Sequence, residues 1–406
     1  MIDQAVILCG GMGTRLGALT EATPKPMLEV AGRPFLFHLI QEVARYGVKH
    51  IVLLAGRFGE QIVTAFHGRR LFGAQVEVLV EPGPLGTGGA LRFAADRLAP
   101  QFLLLNGDSW IDADLARFGL GWHKARERDP EVKAQMLLHR VPDTARFGRV
   151  TLKADRVVGF EEKGAPLADA SGLISAGVYA IDRAILDLIP PHAACSLERD
   201  VLPRLVAEGR VVASQAREGA YFVDIGIPET FAQVQVDLVA ARTRPAVFFD
   251  RDGTLNRDGG YTHRVEDLVW MPQAREAIAH INELGYFVFV VTNQAGIARG
   301  YYDENAVTAF HDAMQVSLAS VGGHVDAFEW CPHHPEAVIP AYRRDCPRRK
   351  PGPGMLLDLM AAWPVDSQRS FLIGNSSADM EAARAAGLRA LRYEGGSVVD
   401  IAAQLL

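Results

Sequence analysis

The sequence predicts an α/β protein of two Rossmann-like domains, and three observations carry that prediction. Apolar runs that stop at Gly- or Asp-containing loops recur along the chain: AVILCGG (5–11), HIVLLAG (50–56), QFLLLNGD (101–108), AVFFDRDG (246–253), YFVFVVTNQ (286–294) and SFLIGNSS (370–377). Between several of them lie periodic segments such as PFLFHLIQEVARYG and DENAVTAFHDAMQVSLASVG, which read as amphipathic helices. At 406 residues the chain exceeds one ordinary hydrophobic core, and the pattern restarts at Ala246 after RTRP (242–245). We therefore expect domains at 1–238 and 246–406 joined by a linker at 239–245. Strands buried on both faces and alternating with helices make mostly parallel sheets, whose ligands sit at the carboxyl ends of the strands.

Composition narrows the function classes. The chain is 49% hydrophobic and 22% charged with a formal net charge of -6, which advertises no nucleic-acid surface. Its dense charge run, HKARERD (123–129), reads as a solvated helix face. Four cysteines do not make a disulfide framework, so a reducing cytoplasm is expected. The opening MIDQAVILCGG lacks the pattern of a signal peptide. No uncharged run reaches the roughly 20 apolar residues that span a bilayer, so no membrane partner is expected. The sequence does not reveal an oligomeric state.

The first apolar run opens into LCGGMGTRLGALTEATPKPML (8–28), where Gly10, Gly11 and Gly13 crowd one turn. Glycines let the backbone approach a phosphate chain and aim successive N–H groups at it. Arg15 and Lys25 bring cations to the same place. There is neither the G-x-G-x-x-G of a dinucleotide fold nor the G-K-[ST] of an ATPase loop. Asp108 ends the run FLLLNGD and Asp224 ends AYFVD, so two carboxylates arrive from separate strands. Such a pair suits a divalent ion that gathers triphosphate oxygens.

With PLGTGGAL (84–91), FEEKG (160–164), SAGVY (175–179) and DIGIPE (224–229), these motifs resemble in order and spacing the sugar-1-phosphate nucleotidyltransferases, over about residues 1–238. The resemblance implies a GT-A-like mixed sheet. It implies that the turn of Gly10, Gly11, Gly13, Thr14 and Arg15 wraps the triphosphate and that Lys25 meets the transferring phosphoryl group. The run Gly86, Thr87, Gly88 and Gly89 lies against the base, Asp108 and Asp224 hold Mg²⁺, and Glu162 and Lys163 face the sugar phosphate, with Asp108 also beside the substrate. The sugar-1-phosphate oxygen attacks the α-phosphorus directly and pyrophosphate leaves, so positioning and charge compensation carry the catalysis. Cys9 stands where alanine is common in this family and reads as a buried structural cysteine. LGAL (16–19) replaces a proline-containing stretch.

The second half opens with AVFFDRDGTLN, which sets Asp250 and Asp252 two residues apart on a loop leaving a strand. At that spacing one carboxylate can attack phosphorus while the other handles the leaving-group proton. Thr292 and Asn293, then Lys350, then Asn375 and Asp379 follow in polar clusters downstream. These clusters resemble the four motifs of the haloacid dehalogenase (HAD) superfamily of phosphatases. DRDGTLN, VTNQAGIARG, CPHHP and RKPGPGM together resemble a narrower group, the D-glycero-D-manno-heptose 1,7-bisphosphate phosphatases. That implies a parallel sheet without a large cap, with Asp250 as nucleophile forming a phosphoaspartate and Asp252 as general acid and base. Thr292, Asn293 and Lys350 face the phosphoryl group, Arg299 meets the substrate, and Mg²⁺ lies with Asp250, the backbone carbonyl of Asp252, Asn375 and Asp379. The fourth motif usually begins Gly-Asp, and here it is Gly374-Asn375. An asparagine oxygen brings no charge to the ion, so weaker Mg²⁺ binding is expected.

CPHHPEAVIPAYRRDCPRRKP (331–351) poses a second metal question. The resemblance implies zinc held by C-x-H and C-x-C. Cys331, His333 and Cys346 match three ligands, but the last position holds Arg348, a cation with no lone pair to offer. A loop without stable zinc is favoured, and a weakened three-residue site stays open.

The two resemblances fit one route. A phosphatase acting at C7 of the heptose bisphosphate makes the acceptor for a nucleotidyltransferase, with GTP the favoured nucleotide, and activated heptoses feed lipopolysaccharide, capsule or surface-layer glycans. The alternatives are a transferase for mannose 1-phosphate or another hexose phosphate fused to a weak or histidinol-phosphate-like phosphatase, and a non-catalytic sensor or scaffold.

Overall fold

A computed structural model describes residues 2–11, 13–144, 147–161, 171–191 and 193–403. Residues 2–44 and 48–241 form one compact unit, and residues from 242 onward, with 45–47, form another. Among the described residues no helix is long and apolar enough to cross a membrane.

The N-terminal unit is built on a mixed sheet. Its parallel half runs Gln101–Asn106, Gln4–Leu8, His50–Ala55 and Ala74–Val80 side by side. Gly172–Asp182 then pairs antiparallel with Gln101–Asn106 and with Ala134–Val141, which carries Val211–Gln215 parallel on its far side. Val6, Phe102, Leu104, Met136 and Ile181 are fully buried and centre the core. Strand order reverses between Gln4–Leu8 and Gln101–Asn106, so the glycine turn after Leu8 and the segment bearing Asp108 leave the sheet side by side. Gly107 makes this possible: its N–H donates to Leu8 O at 2.9 Å, and a Cβ there would lie 2.5 Å from that same oxygen.

The C-terminal unit has a parallel sheet in the order Ala327–Cys331, Phe287–Asn293, Ala246–Phe249, Phe371–Gly374 and Arg389–Arg392. Ala246–Phe249 is buried throughout, as a continuous apolar run between two neighbours must be. Helix Ala274–Glu283 buries Ala274, Ala277, Ile278 and Ile281, a single face at helical spacing. Order reverses between Ala246–Phe249 and Phe371–Gly374, which brings the loops after Phe249 and Gly374 together. Short helices and loops connect the strands, with no separate cap among the described residues.

The segment expected as a linker is mostly helix. Pro228–Arg242 continues through it, leaving only residues 243–245 before the next strand. DLVAAR favours helix strongly enough to persist until Pro245 disfavours the helical conformation just ahead of it.

Replacing Gly107 with alanine should cost about 1–3 kcal/mol through overpacking against Leu8. Denaturant unfolding checks this, and an unchanged midpoint would mean that the strand ends yield freely.

Candidate active sites

In the N-terminal unit Lys25 lies between the two predicted carboxylates. Its Nζ is 2.6 Å from Asp108 Oδ2 and 3.5 Å from Asp224 Oδ1. Lys25 follows Pro24 in a short 3₁₀ turn, Lys25–Met27, and its side chain is 7% exposed. Asp224 Oδ1 also accepts from Gly226 N at 2.6 Å. A Cβ at Gly226 would meet Asp224 Oδ1, Lys25 Nζ and Arg15 Nη2 at 2.5, 3.1 and 3.5 Å, so that glycine marks where these charges converge. Two carboxylates aimed at one cation are an all-oxygen donor set that fits Mg²⁺.

Beside them opens a cavity of about 300 Å³, lined in part by Gly10, Gly11, Lys25, Glu81, Gly86 and Asp108. Gly11 faces open space, while Gly13, at φ 64°, turns the chain into the 3₁₀ segment Thr14–Thr20. Thr14 and Arg15 are exposed there. Cys9 is 1% exposed at the cavity wall, where burial pushes its thiol far above the ordinary range.

The run 86–89 opens the helix Gly86–Phe93, and the N–H groups of Gly88 and Gly89 donate to Cys195 O at 2.9 and 3.1 Å. A Cβ at Gly86 would lie 2.6 Å from that oxygen, and one at Gly89 would lie 2.9 Å from Ala193 O. Close packing against 193–195 thus accounts for these glycines. Thr87 donates its hydroxyl to Glu198 at 2.7 Å and accepts from Leu197 N at 2.8 Å, so it too ties the helix to this segment. Gly86 and Thr87 still line the cavity. Glu162 and Lys163 lie outside the described residues.

Sequence reasoning missed Glu81. It is half-buried in the cavity wall, where desolvation raises its carboxyl while the N–H of Leu85, 3.2 Å from Oε2, lowers it. Its only sequence signal is an acidic residue just after an apolar strand, Ala74–Val80.

In the C-terminal unit a second lysine bridges two carboxylates. Lys350 Nζ donates to Asp250 Oδ1 at 2.6 Å and to Val291 O at 2.8 Å, and forms an ion pair with Asp379 Oδ1 at 2.6 Å. Burial lifts the Asp250 carboxyl to about 6; Lys350 opposes that rise and Asp379 adds to it. Burial works against charge on Lys350, but Asp250 and Asp379 outweigh it and hold the ammonium above its ordinary range.

Asp379 arrives here as part of a helix cap. At the start of Ser377–Ala385 its Oδ2 accepts from Ser376 N and Oγ at 3.0 and 2.7 Å, completing a capping box, while Oδ1 turns to Lys350. Oδ2 is thereby taken by the cap, while Oδ1 meets Lys350 as an ion pair. Asn293 also differs from the expected substrate contact: its Nδ2 donates to Lys350 O at 2.9 Å and its Oδ1 accepts from Lys350 N at 3.0 Å. It holds Lys350 in place. Thr292, 1% exposed, accepts from Gln294 Nε2 at 2.8 Å and keeps a hydroxyl proton to give.

Asn375 Nδ2 lies 3.3 Å from Asp252 O, and a Cβ at Gly253 would come within 2.1 Å of that nitrogen. Glycine therefore keeps open the place where the amide, the Asp252 carbonyl and the Asp250 loop meet. Turning the amide over presents Oδ1 there, so these oxygens fit the Mg²⁺ that HAD-type phosphatases use. Arg299 caps helix Ala295–Ala298, with its guanidinium 5.8 Å from the Tyr261 ring. Arg349, also missed in the sequence, lies near enough that Arg299 helps lower its charge affinity, after burial.

The ligand atoms of Cys331, His333 and Cys346 lie within 4.8 Å of one another, and among the described residues the group ends at three. His334 Nδ1 accepts from Glu336 N at 3.1 Å. Arg348 pairs with Glu329 and, at 3.1 Å, with Asp358. These carboxylates offset its charge. Among the described residues the loop offers three protein ligands, one fewer than a closed structural zinc site takes.

The two folds and their charged clusters define a nucleotidyltransferase and a HAD-type phosphatase carried on one chain. Residues 4–240 match the nucleotidyl transferase family and residues 347–400 a HAD-hydrolase-like family. The C-terminal part is 47% identical over 167 residues to a D-glycero-β-D-manno-heptose-1,7-bisphosphate 7-phosphatase of Rhodopseudomonas palustris, covering 41% of this chain and 93% of that protein. A mannose-1-phosphate guanylyltransferase of Mycobacterium tuberculosis is 38% identical over 260 residues, covering 63% of this chain and 70% of that protein. A UDP-glucose pyrophosphorylase from Acinetobacter baumanii shares the N-terminal fold at TM-score 0.50 and 21% identity, covering 58% of this chain and 93% of the other. The chain belongs to the nucleotidyl transferase family and, through its C-terminal part, to the family of the heptose-1,7-bisphosphate 7-phosphatases.

Proposed function

We propose that this enzyme dephosphorylates D-glycero-D-manno-heptose 1,7-bisphosphate at C7 and transfers a guanylyl group to the resulting heptose 1-phosphate. The observation that carries the first half is the cluster of Asp250, Lys350 and Asp379 beside Asp252, in a unit 47% identical to a phosphatase named for that substrate. Asp250 attacks the C7 phosphorus and becomes a phosphoaspartate. Asp252 gives a proton to the departing sugar oxygen and then takes one from the attacking water. Lys350 and the Thr292 hydroxyl grip the phosphoryl oxygens, and Arg299 with Arg349 meets the rest of the substrate. Asp250, the Asp252 carbonyl and Asn375 would hold Mg²⁺, which would supply charge neutralisation at phosphorus.

For the second half, Arg15 and Lys25 face the triphosphate while Asp108 and Asp224 hold Mg²⁺. Glu81 supports guanine. A carboxylate accepts two adjacent donors, and guanine offers the N1–H and N2–H₂ pair, which no other common base presents. The mycobacterial relative favours mannose 1-phosphate as a second reading for the acceptor.

Asp108→Ala should lower nucleotidyl transfer by about 10²–10³-fold and leave phosphate release intact. Transfer assays with each nucleoside triphosphate and both sugar phosphates should favour GTP and the heptose, and Glu81→Gln should erode the preference for GTP. A wild-type preference for another base, or for mannose 1-phosphate, overturns that half of the reading.

Asp250→Asn should abolish phosphate release without stopping transfer. Asn375→Asp should lower the Mg²⁺ concentration giving half-maximal phosphatase rate several-fold, and an unchanged Mg²⁺ curve would show that the asparagine is compensated.

The loop from Cys331 to Cys346 stands without zinc in this reading, supported by the pairing of Arg348 with Glu329 and Asp358. Metal analysis of protein purified without added zinc should find well below one equivalent, and a chelator should leave the melting temperature unchanged once Mg²⁺ is restored. Arg348→Cys should gain zinc and a chelator-sensitive melting temperature. Stoichiometric zinc in the wild type contradicts this.

A further inference from the structure

Both oxygens of Asp252 are doubly engaged. Oδ1 accepts from Arg251 Nε at 3.0 Å and Asn256 Nδ2 at 3.1 Å, and Oδ2 accepts from Arg251 Nη2 at 2.8 Å and Gln294 Nε2 at 2.9 Å. The contact with Arg251 is a two-point fork from the neighbouring residue. That guanidinium is itself caged: it is 0% exposed, Nη2 donates to Thr262 O at 2.7 Å, and Nη1 lies 3.3 Å from His311 Nε2. Its carbon sits 4.6 Å from the Phe310 ring centre, and His311 stacks on Phe328 at 4.4 Å and 15°. A planar fork fixes both the position and the rotation of a carboxylate, which a single-point donor such as lysine does not.

We propose that Arg251 is the positioning residue for proton transfer by Asp252. It holds the Asp252 carboxyl at one angle to the leaving oxygen of a phosphomonoester attacked by Asp250, and this rests on the acid–base role given to Asp252 above. In the step concerned, the bond from Asp250 to phosphorus forms as the bond from phosphorus to the sugar oxygen breaks. The proton, which Asp252 carries in place of one of its two amide contacts, passes to that oxygen, giving the alcohol and leaving Asp252 a carboxylate. Water then cleaves the phosphoaspartate at phosphorus, its proton going to Asp252, which restores Asp250 and releases phosphate.

Leaving groups separate this role from general support of the fold. An alkoxide is too basic to leave unprotonated, whereas nitrophenolate leaves without a proton. A misaimed Asp252 therefore slows a sugar phosphate and largely spares p-nitrophenyl phosphate. The quantity to measure is kcat/KM, which covers events up to formation of the phosphoenzyme. Arg251→Lys, in the full chain with Mg²⁺, should lower kcat/KM for heptose 1,7-bisphosphate by about 10–100-fold and for p-nitrophenyl phosphate far less. Because both substrates are read on one preparation, the ratio does not depend on the folded fraction. Should Arg251→Lys not be recovered folded, His311→Gln removes the ring beside Nη1 and should shift the ratio in the same direction by a smaller amount. Equal losses on both substrates overturn the proposal. Asp252→Asn is the control: a loss that depends on the leaving group there, with a uniform loss in Arg251→Lys, rejects Arg251 alone, and a uniform loss in Asp252→Asn rejects the acid–base role beneath it.

Discussion

Each unit sets one buried lysine against two aspartates. Lys25 stands between Asp108 and Asp224, and Lys350 between Asp250 and Asp379. Like charges gathered near a protein surface repel, and a cation set between them offsets that repulsion. The strand ends, the glycines and the loop conformations around each site serve to bring these partners together. The same requirement makes each site receptive to phosphoryl oxygens and divalent ions, because both exchange charge with the cluster already present.

The sites also depend on residues that do two things at once. Asp379 closes a helix N-terminus with one oxygen and faces Lys350 with the other, so the cap fixes the catalytic cluster as firmly as it fixes the helix. Asn293 seals the backbone of Lys350 with both ends of its amide. Glycines divide into two kinds. Gly11 leaves open space beside the cavity, whereas Gly86, Gly88 and Gly89 are surfaces against which residues 193–195 pack.

In the C-terminal unit, ion pairs tie down the loop bearing Lys350. Arg348 draws Glu329 on the strand Ala327–Cys331 and Asp358 on the helix Gly354–Ala362 to itself. Cys331, whose thiol burial pushes up to about 11, remains beside His333 and Cys346.

Much of this was legible in the sequence because it is local. Continuous apolar runs announced the parallel strands, and the polar residue that ends each run announced its place at a carboxyl end; Asp108, Asp250 and Asn375 all follow that rule. The two-residue spacing of Asp250 and Asp252 set them on one loop. Tertiary structure decided the rest, since those decisions turn on partners far apart in the chain. Nothing near Gly88 or Gly89 foretells that Cys195 takes their N–H groups, nor does anything near Glu81 foretell its place in a cavity wall. The strength of the helix through 239–242 outweighed a charged segment that resembles a linker. Asp379 could be read as a helix cap, but only the crossing of strands at the reversal of sheet order carries its second oxygen to Lys350. Sequence determines which groups reach the strand ends, and packing determines which of them remain free, because a hydrogen bond or an ion pair depends on the partner that the fold delivers.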